Sequence, residues 1–420
     1  MRSFPALPEW VSLEHQVAQI LTEQEIHGWY FDQRSARDLE LHLRRELREI
    51  TEVLERRYPF VAGSEFTPKR NNRNKGYVIG ATFQRLKPLL PASRDHIAWI
   101  LTNFDNFDPN GSLTATGKMV IDETSLKNHG TGLALQFLRI LEITKLLGMI
   151  SEGVNAWLKL CTSANRLHHH CSVATATHRV AHRSPNLGQV PSDERARKLF
   201  MATPGQVMVG ADLSGIELRM LSHYLARYDG GRYADILLNG DIHQVNADKI
   251  GVSRKLVKNI SCAFLYGAGD VKIGLTYDKL LSPQQAKQKG AEIRSAYVAA
   301  IDGLSDLLDA IKDASNRGFV KSIDGRKIIL DSPHKALNYL LQSGAGVIAK
   351  RWMVLAHDNP FCCSQLAFVH DELQYECTPE HAEDLRFHLE WSAVRAGEYY
   401  NLRVPIAAEG KIGDTWADVH

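Results

Sequence analysis

The stretch VMVGADLSGIELR, residues 207–219, ends a short apolar strand on a carboxylate. The apolar run stops at Asp212, a short turn follows, and an amphipathic helix carrying Glu217 comes next. A carboxylate at the C-terminal end of a buried strand is a common way to hold a divalent cation in a rigid place. Asp is also a favoured N-cap. This stretch alone therefore leaves two interpretations of Asp212 open, a metal ligand and a helix cap.

A second acidic strand end follows about 160 residues later, in LAFVHDELQYEC at 366–377. The pattern of residues 365–377 predicts a β-hairpin with His370 and Asp371 at its tip, and Glu372 comes directly after them. Two carboxylates on adjacent strand ends, with a third nearby, suit a pair of magnesium ions about 4 Å apart that serve phosphoryl transfer. Glycosidases also use two carboxylates, so the acids alone do not decide the chemistry.

A basic helix favours phosphoryl transfer. In SRKLVKNISCAFLYGAG, residues 253–269, the side chains Arg254, Lys258, Cys262 and Tyr266 recur every four residues along one face. Two cations stacked in this way, with no acid in reach, are expected to bind an anion such as a triphosphate. The alternative is a solvated basic face. His243 is a candidate for a further phosphate donor, although a lone histidine is more often structural.

Size and composition describe a folded protein of two or three domains, with 420 residues, 44% hydrophobic and 23% charged. No apolar run approaches the roughly 18 residues of a membrane span, and the N-terminus lacks a signal-peptide core. We therefore expect a cytoplasmic protein with no membrane partner. Six cysteines without a C-x-x-C pair argue against a zinc site or a disulfide framework.

The net charge of +2 neither requires nor excludes nucleic acid, because the position of the cations matters more. Cations cluster in two segments, one being the Asn-rich loop with Lys69, Arg70, Arg73 and Lys75. The other runs from Arg166 to Pro191 and contains no carboxylate. A solvated face is the alternative for both.

Periodicity predicts an α+β core with helical subdomains. Helical patterns cover residues 35–57, resume near Arg94, and continue over 132–160, 216–228, 243–316 and 334–357. A polar loop is expected at 63–80, irregular strand-like structure at 167–191, and a hairpin at 321–330.

These segments together resemble the family A, or polymerase I-like, DNA polymerases, and look closest to the replicative polymerases of short-tailed phages. ADLSGIELR, the Arg254–Lys258–Tyr266–Gly267 spacing and FVHDEL are similar to two palm motifs and the fingers helix of that family. Further similar segments, in order from about residue 10 to the C-terminus, are SRDHI at 93–97, EGVNAWL at 152–158, THRVAHRSPNLGQVP at 177–191, GDIHQ at 240–244, DGRK at 324–327 and LNYLLQSGAG at 337–346.

The resemblance implies a right-hand polymerase fold with an antiparallel-sheet palm and a helical thumb and fingers. The implied thumb is 1–150 with its basic loop at 63–80, the palm is 151–228 and 331–420, and the fingers are 229–330. The implied activity is template-directed extension of a DNA primer with deoxynucleoside triphosphates, by two-metal-ion nucleotidyl transfer with release of pyrophosphate.

The resemblance also implies residue roles. Catalysis falls to Asp212, Asp371 and Glu372, and two Mg²⁺ ions, with Mn²⁺ as a substitute, bind Asp212, Asp371 and the Leu213 carbonyl. The triphosphate is gripped by Arg254, Lys258 and His243. Glu217, packed against Tyr266, fills the space of a ribose 2′-hydroxyl. The primer–template DNA is contacted by Arg179, Asn186, Gln189, Gln342 and His370, and its backbone by Lys69, Arg70 and Arg73.

Two departures from the family pattern concern the nucleotide and the primer. Cys262-Ala263 stands where the family has an aromatic residue and a glycine, in the nucleotide-binding region, so dideoxynucleotide selectivity is open. His178 replaces a glycine before Arg179. About 30 residues ahead of the thumb are too few for a nuclease domain, so no 3′→5′ exonuclease is expected in this chain.

Several alternatives remain. A separate exonuclease, a helicase/primase or a processivity factor is a candidate partner, whereas a thioredoxin clamp is not favoured because its insertion at 58–91 looks shortened. An RNA polymerase or reverse transcriptase of the same fold, and a non-catalytic DNA-binding module, are the competing functions. Glu217 speaks against RNA synthesis. The sequence does not separate replication from repair or lesion bypass.

Overall fold

The computed structural model describes residues 7–108, 113, 117–278 and 281–420. Contacts divide the chain into two compact units, one of Met1–Gln33 with Leu160–His420 and one of Arg34–Lys159. The expected thumb and fingers each include a few positions outside the described residues, at 1–6, 109–112, 114–116 and 279–280. None of the described helices combines the length and apolar character that crossing a membrane requires.

Seventeen helices and thirteen strands are found in the described residues. The helices are α1 (Glu9–His27), α2 (Gln33–Arg57), α3 (Arg94–Phe104), α4 (Glu123–His129), α5 (Gly132–Leu147), α6 (Trp157–Leu160), α7 (Glu194–Arg197), α8 (Ile216–Asp229), α9 (Arg232–Asn239), α10 (Ile242–Ile250), α11 (Arg254–Leu265), α12 (Asp270–Tyr277), α13 (Pro283–Ala300), α14 (Leu304–Ser315), α15 (Ala336–His357), α16 (Ala382–Tyr399) and α17 (Trp416–Val419).

The strands are β1 (Trp29–Phe31), β2 (Phe60–Phe66), β3 (Phe83–Pro88), β4 (Arg166–Leu167), β5 (His170–Ser172), β6 (Ala181–Arg183), β7 (Phe200–Met201), β8 (Val207–Leu213), β9 (Phe319–Lys321), β10 (Lys327–Ile329), β11 (Cys363–Val369), β12 (Glu372–Cys377) and β13 (Ala408–Gly413). Their pairings are all antiparallel among the described strands. With the helices, this confirms the expected α+β class.

A four-stranded sheet forms the centre of the larger unit, in the order β11-β12-β8-β13. The apolar run that opens β8 suits its place between β12 and β13, and β12 itself is buried along its whole length. Helix α16 packs on β8 and β13, α15 packs on α16, and both helices share the core of this sheet. The predicted hairpins at 321–330 and 365–377 are confirmed as β9–β10 and β11–β12.

The first helix belongs to the larger unit, which differs from the expected thumb of residues 1–150. Leu13, Val17, Ile20 and Leu21 on α1 are buried in the same core as the central sheet. The apolar pattern of an amphipathic helix predicts that one face is buried, but it does not predict which core that face joins. The compact smaller unit accordingly begins at Arg34 and ends at Lys159.

The smaller unit holds the basic loop on a hairpin that sequence patterning missed. Strands β2 and β3 pair across it, so part of the expected 63–80 loop is strand. Only Val61 of these two strands is buried, which leaves too little alternation for a strand prediction. The expected helix over 132–160 is also broken, because α5 ends at Leu147 and a π-helical turn follows at Gly148–Glu152.

Helices α10–α14 confirm the predicted helical block over 243–316. Two of these helices, α12 and α13, cross where each has a glycine. A Cβ on Gly274 would lie 1.9 Å from the Ala286 carbonyl oxygen, and a Cβ on Gly290 would lie 1.8 Å from that of Asp270. Such contacts leave room for glycine alone, so the two helices are in backbone contact at this crossing.

Candidate polymerase active site

The two predicted acidic strand ends meet in the central sheet. Asp212 near the end of β8 pairs across the sheet with Glu372 at the start of β12. The Leu213 N–H donates to the Asp371 carbonyl oxygen at 3.0 Å. The hairpin turns through His370 and Asp371 alone, and His370 has a φ of +61°. Positive φ at a non-glycine residue is strained backbone of the kind that collects at functional sites.

The carboxyl groups of Asp212 and Asp371 are electrostatically crowded. Desolvation by the surrounding protein, followed by the charges of Asp371 and Glu372, raises the pKa of Asp212 to about 7, although the residue is accessible to solvent. Burial and the charge of Glu217 raise the pKa of Asp371 to about 6, with Arg179 acting in the opposite direction. Nearby like charges that lack full compensation form a place where a cation is favourable.

Glu372, the third of the predicted catalytic acids, lies inside the protein. It is 5% exposed. Its Oε1 accepts hydrogen bonds from Trp416 Nε1 at 2.6 Å and from the Gln374 amide, and its Oε2 lies 3.2 Å from His420 Nδ1. Both oxygens are therefore engaged inside the protein, and Glu372 acts on Asp212 through its charge and by fixing the start of β12.

Glu217 joins the acids to the basic helix. Its Oε1 accepts from Arg179 Nη2 at 2.6 Å and from the Tyr266 hydroxyl at 3.1 Å. The contact with Tyr266 is the one expected from the sequence. The ion pair with Arg179 is new, since it joins residues 38 positions apart. Glu217 is thus held from two sides in the first turn of α8, and its charge raises the pKa of Asp371.

The cations of α11 contradict one expectation, namely that no acid lies in reach. Arg254 Nε donates to Asp241 Oδ2 at 2.5 Å. Asp241 also caps α10, since it accepts from the backbone N–H groups of His243 and Gln244. Burial and then the charges of Arg254 and Lys258, partly offset by Asp241, lower the pKa of His243. Lys258 is exposed and has no ion pair within the described residues.

The predicted DNA contacts near the acids share one cavity of about 340 Å³. It is lined among others by Arg179, Asn186, Gln189 and His370. His178, which stands where the family has glycine, has a φ of +61°. This left-handed backbone is the physical reason for a glycine there. A Cβ on Gly346 of α15 would lie 3.4 Å from the His178 carbonyl oxygen, so α15 closely supports this turn.

The remaining predicted residues are not among those that line this cavity. Gln342 is half-buried on α15, and Cys262 is exposed one turn before Tyr266 on α11. Lys69, Arg70 and Arg73 are exposed near the β2–β3 hairpin of the smaller unit.

Three residues escaped the sequence interpretation. Asp241 had a detectable signal, because Asp directly before a helix start is a typical N-cap. Trp416 and His420, which hold Glu372, had none, because their contact spans more than 40 positions.

Comparison with known proteins identifies the family. Residues 81–418 match the model described as DNA polymerase family A. The DNA-directed DNA polymerases of Enterobacteria phage T3 and Escherichia phage T7 are each 30% identical over 511 aligned residues, covering 98% of this chain and 70% of each phage protein. DNA polymerase I of Pseudomonas aeruginosa is 28% identical over 61% of this chain and 30% of that protein.

A solved structure shares the fold. It is the POL domain of Pol1 from M. smegmatis in complex with DNA primer-template and dNTP, with a TM-score of 0.76, 22% identity, and coverage of 97% of this chain and 70% of that chain. This likeness confirms the expected polymerase-type fold. On the strength of the family match and the phage relatives, the chain belongs to DNA polymerase family A.

Proposed function

We propose that this chain is a template-directed DNA polymerase that extends a DNA primer with deoxynucleoside triphosphates by two-metal-ion nucleotidyl transfer. The observation that carries the proposal is the pair of strand-end carboxyl groups, Asp212 and Asp371, whose pKa values are both raised. The phage relatives are named DNA-directed DNA polymerases, and the mycobacterial structure contains primer–template and dNTP. These names support the proposal that the substrates are a DNA primer–template and deoxynucleoside triphosphates.

Asp212 and Asp371 would hold the divalent ions, with the Leu213 carbonyl as an additional ligand. Oxygen donors are the ligands that Mg²⁺ prefers, and Mn²⁺ accepts the same set. Bound there, two ions would supply charge stabilisation to the attacking primer 3′-oxygen and to the departing pyrophosphate. Glu372 keeps the start of β12, and so Asp371, in position through its hydrogen bonds.

Arg254, Lys258 and His243 would bind the triphosphate. Lys258 offers an exposed ammonium group, whereas Arg254 must exchange Asp241 for a phosphate oxygen. The exchange is favourable because a triphosphate carries more charge than one carboxylate and accepts the same guanidinium hydrogen bonds. His243 is neutral at pH 7, since its pKa is lowered, and donates one N–H.

Glu217 would exclude ribonucleotides by occupying the position of a 2′-hydroxyl. Its two hydrogen bonds, to Arg179 and Tyr266, keep the carboxylate from swinging away. Cys262 lies one turn before Tyr266 and would face the sugar with a small side chain.

The cavity residues Arg179, Asn186, Gln189 and His370, together with Gln342, would contact the primer end and the minor groove of the new base pair. The minor groove presents similar acceptors for every pair, so such contacts test shape rather than sequence. Lys69, Arg70 and Arg73 would contact backbone phosphates.

The proposed roles assign the chain to a thumb, fingers and a palm. We assign the thumb to the smaller unit, the fingers to the helical block of about 229–330, and the palm to the remainder of the larger unit. The palm then includes α1, a change from the expected boundary.

Primer extension under single-turnover conditions tests the central proposal. Asp212→Asn and Asp371→Asn keep side-chain size but remove the metal ligand charge, and each should slow extension by at least about 1000-fold. Asp358→Asn, an exposed acid beyond the end of α15, is the matched control and should leave the rate unchanged. Full activity in either active-site variant would overturn the proposal.

Sugar selectivity tests the nucleotide pocket. Glu217→Ala should raise ribonucleotide incorporation relative to deoxynucleotides by about 100-fold, the scale of one pocket contact. Glu217→Gln, which keeps the volume, should retain most of the selectivity. Equal sugar selectivity in the alanine variant and the wild type would show that Glu217 does not exclude ribonucleotides. Extension with RNA templates, in the same assay, separates a reverse transcriptase from a DNA-templated enzyme.

Cys262→Tyr restores a ring of the type the family has near the sugar. We expect dideoxynucleotides to be accepted about tenfold more easily relative to deoxynucleotides, as one added contact in a pocket is worth about that factor. The measurement is the ratio of kcat/KM values for the two substrates. An unchanged ratio would show that position 262 does not face the sugar.

We also propose that these 420 residues carry no proofreading nuclease. The residues ahead of the family match form α1, β1, α2 and β2, and α1 is committed to the core of the larger unit. A primer with a mismatched 3′ end should therefore stay intact when nucleotides are omitted. A second purification column removes contaminating nucleases. Release of the mismatched nucleotide that persists after this column would contradict the proposal.

A further inference from the structure

A cluster of metal-binding side chains lies at the hairpin β5–β6 and includes none of the strand-end acids. One donor atom each from His169, Cys171 and His182 lies within 4.8 Å of the other two. Cys171 and His182 face each other across the hairpin as register partners. None of the polymerase roles above uses His169, Cys171 or His182.

The donor separations match tetrahedral zinc. With Zn–S near 2.3 Å and Zn–N near 2.0–2.1 Å, two ligand atoms of one ion are about 3.3–3.6 Å apart. The Cys171 Sγ and His182 Nδ1 atoms are 3.6 Å apart. The remaining separations, up to 4.8 Å, close by small rotations of the side chains.

Gln24 on α1 contacts the cluster from one side. Its amide nitrogen lies 2.9 Å from His169 Nε2 and 3.5 Å from Cys171 Sγ, which are hydrogen-bond separations. Its Oε1 accepts from Gln365 Nε2 at 2.7 Å, so the amide is held in this orientation. The cluster therefore offers three protein ligands, and Gln24 orients His169 as outer groups of metal sites do.

The protonation states of His169 and His182 suit a metal such as Zn²⁺ that prefers nitrogen and sulfur ligands. Burial, with the neighbouring histidines, lowers the pKa of His169 to about 3, and burial lowers that of His182 to about 4. Both imidazoles are neutral at pH 7 and keep a lone pair. Within the described residues, His169 Nδ1 is a buried nitrogen without a hydrogen-bond partner.

Burial raises the pKa of Cys171 to about 12, so the metal-free side chain is a thiol. On binding, the S–H bond breaks, its proton leaves to solvent, and the sulfur electron pair forms the bond to the metal. The side chain of Glu25 accepts from the Cys171 backbone N–H and so fixes the orientation of this ligand, as outer ligands of metal sites do.

We propose that His169, Cys171 and His182 form a binding site for one Zn²⁺ ion on hairpin β5–β6. His182 also lines the cavity that holds Arg179, Gln189 and His370. The ion would therefore stiffen the wall that carries the DNA contacts. The proposal is independent of the polymerase mechanism, because it needs no residue of the acidic site.

Metal titration of the full chain tests the site. Protein stripped with a chelator is titrated with Zn²⁺ against a coloured competitor, in excess Mg²⁺ so that the carboxylates of the active site are saturated. We expect one tightly bound equivalent per chain. With Co²⁺ in place of Zn²⁺, a thiolate-to-metal charge-transfer band should appear in the near ultraviolet, which oxygen ligands do not give.

Variants identify the ligands. Cys171→Ser should lose the band and weaken Zn²⁺ binding by more than about 100-fold, a loss larger than that for outer ligands. Cys161→Ser is the matched control, since burial also raises the pKa of that thiol, to about 11, and it should keep both signals. Asp371→Asn should keep them as well, which separates this site from the active site.

Three results would overturn the proposal: no tight equivalent, a band that persists in Cys171→Ser, or binding lost in Asp371→Asn. If Cys171→Ser does not fold, judged by circular dichroism, His182→Gln and His169→Gln take its place. Retained affinity in either folded histidine variant counts against the site. Zn²⁺ should also raise the melting temperature of the wild type but not that of the variants.

Discussion

Two regions of the larger unit bring carboxylates together, and their negative charge is balanced by bases in only one of them. At the strand ends, Asp212 and Asp371 lie close to further acids, and both pKa values are raised. Arg179 is the cation near them, and it is already paired with Glu217. The negative charge here exceeds what the protein neutralises.

The second region is an ion cluster between α1, the β9–β10 turn and α15. Glu14 accepts from Lys350 Nζ at 2.7 Å and from the guanidinium of Arg326. Arg326 Nε also donates to Asp324 at 2.6 Å. Lys350 and the side chain of Asp324 are 0% exposed. Two acids meet two bases, so this cluster is neutral, although the buried Arg326 Nη2 has no hydrogen-bond partner among the described residues.

The comparison separates acids that stabilise the fold from acids that are available for a function. Buried ions that are paired keep a specific packing, and removing one partner leaves the other charge without compensation. Crowded like charges lower stability and persist where they have another use. Asp324 and Arg326 of the DGRK segment at 324–327 belong to the paired, stabilising cluster.

The largest expected effect is on the neutral cluster. Glu14→Gln leaves Lys350 and Arg326 buried without their shared acid, and we expect the free energy of unfolding to fall by about 3–5 kcal/mol. Glu23→Gln, on the same helix with an exposed partner, should cost less than about 1 kcal/mol. Denaturant titration measures both. Equal losses would mean that pairing in the cluster does not matter for stability.

An intermediate effect concerns pH and the acidic strand ends. The pKa values of about 7 for Asp212 and about 6 for Asp371 lie above the value of 3.8 for an unperturbed Asp. The folded protein therefore favours the protonated carboxyl groups. Their contribution to stability is fully present below about pH 4 and is lost as pH rises through 6 to 7.

Melting temperatures in EDTA between pH 4 and pH 8 test this sign. Relative to an Asp212→Asn, Asp371→Asn double variant, the wild type should become less stable by a few degrees as pH rises. Mg²⁺ at pH 8 should restore the wild type and leave the double variant unchanged. A parallel pH dependence in both proteins would show that the acids are not crowded.

The smallest effect is expected at the exposed ion pair of Arg254. Asp241→Asn keeps the helix cap, because Asn caps as well as Asp, but removes the charge that competes with a triphosphate. We expect the KM for nucleotides to fall a few-fold, about the worth of one exposed ion pair, with stability nearly unchanged. A raised KM would show that Asp241 orients Arg254 instead of competing for it.

Contacts between residues close in sequence were the predictable part. The acidic strand ends could be found because each acid directly follows its own apolar run. The β11–β12 hairpin followed for the same reason. The contact between Glu217 and Tyr266 followed only from family resemblance.

The remaining contacts join distant segments, which periodicity does not report. The core that α1 joins, the pairing of Arg254 with Asp241, and the burial of Glu372 under Trp416 are of this kind. So is the cluster of His169, Cys171 and His182. The absence of a C-x-x-C pair argued against zinc, but cysteine spacing does not detect a set in which a hairpin brings two histidines to one thiol.

The glycine crossing of α12 and α13 has a mechanical consequence. With backbone against backbone at Gly274 and Gly290, the two helices have no side-chain layer on which to slide. Any displacement of this part of the chain should therefore carry both helices together as one rigid body.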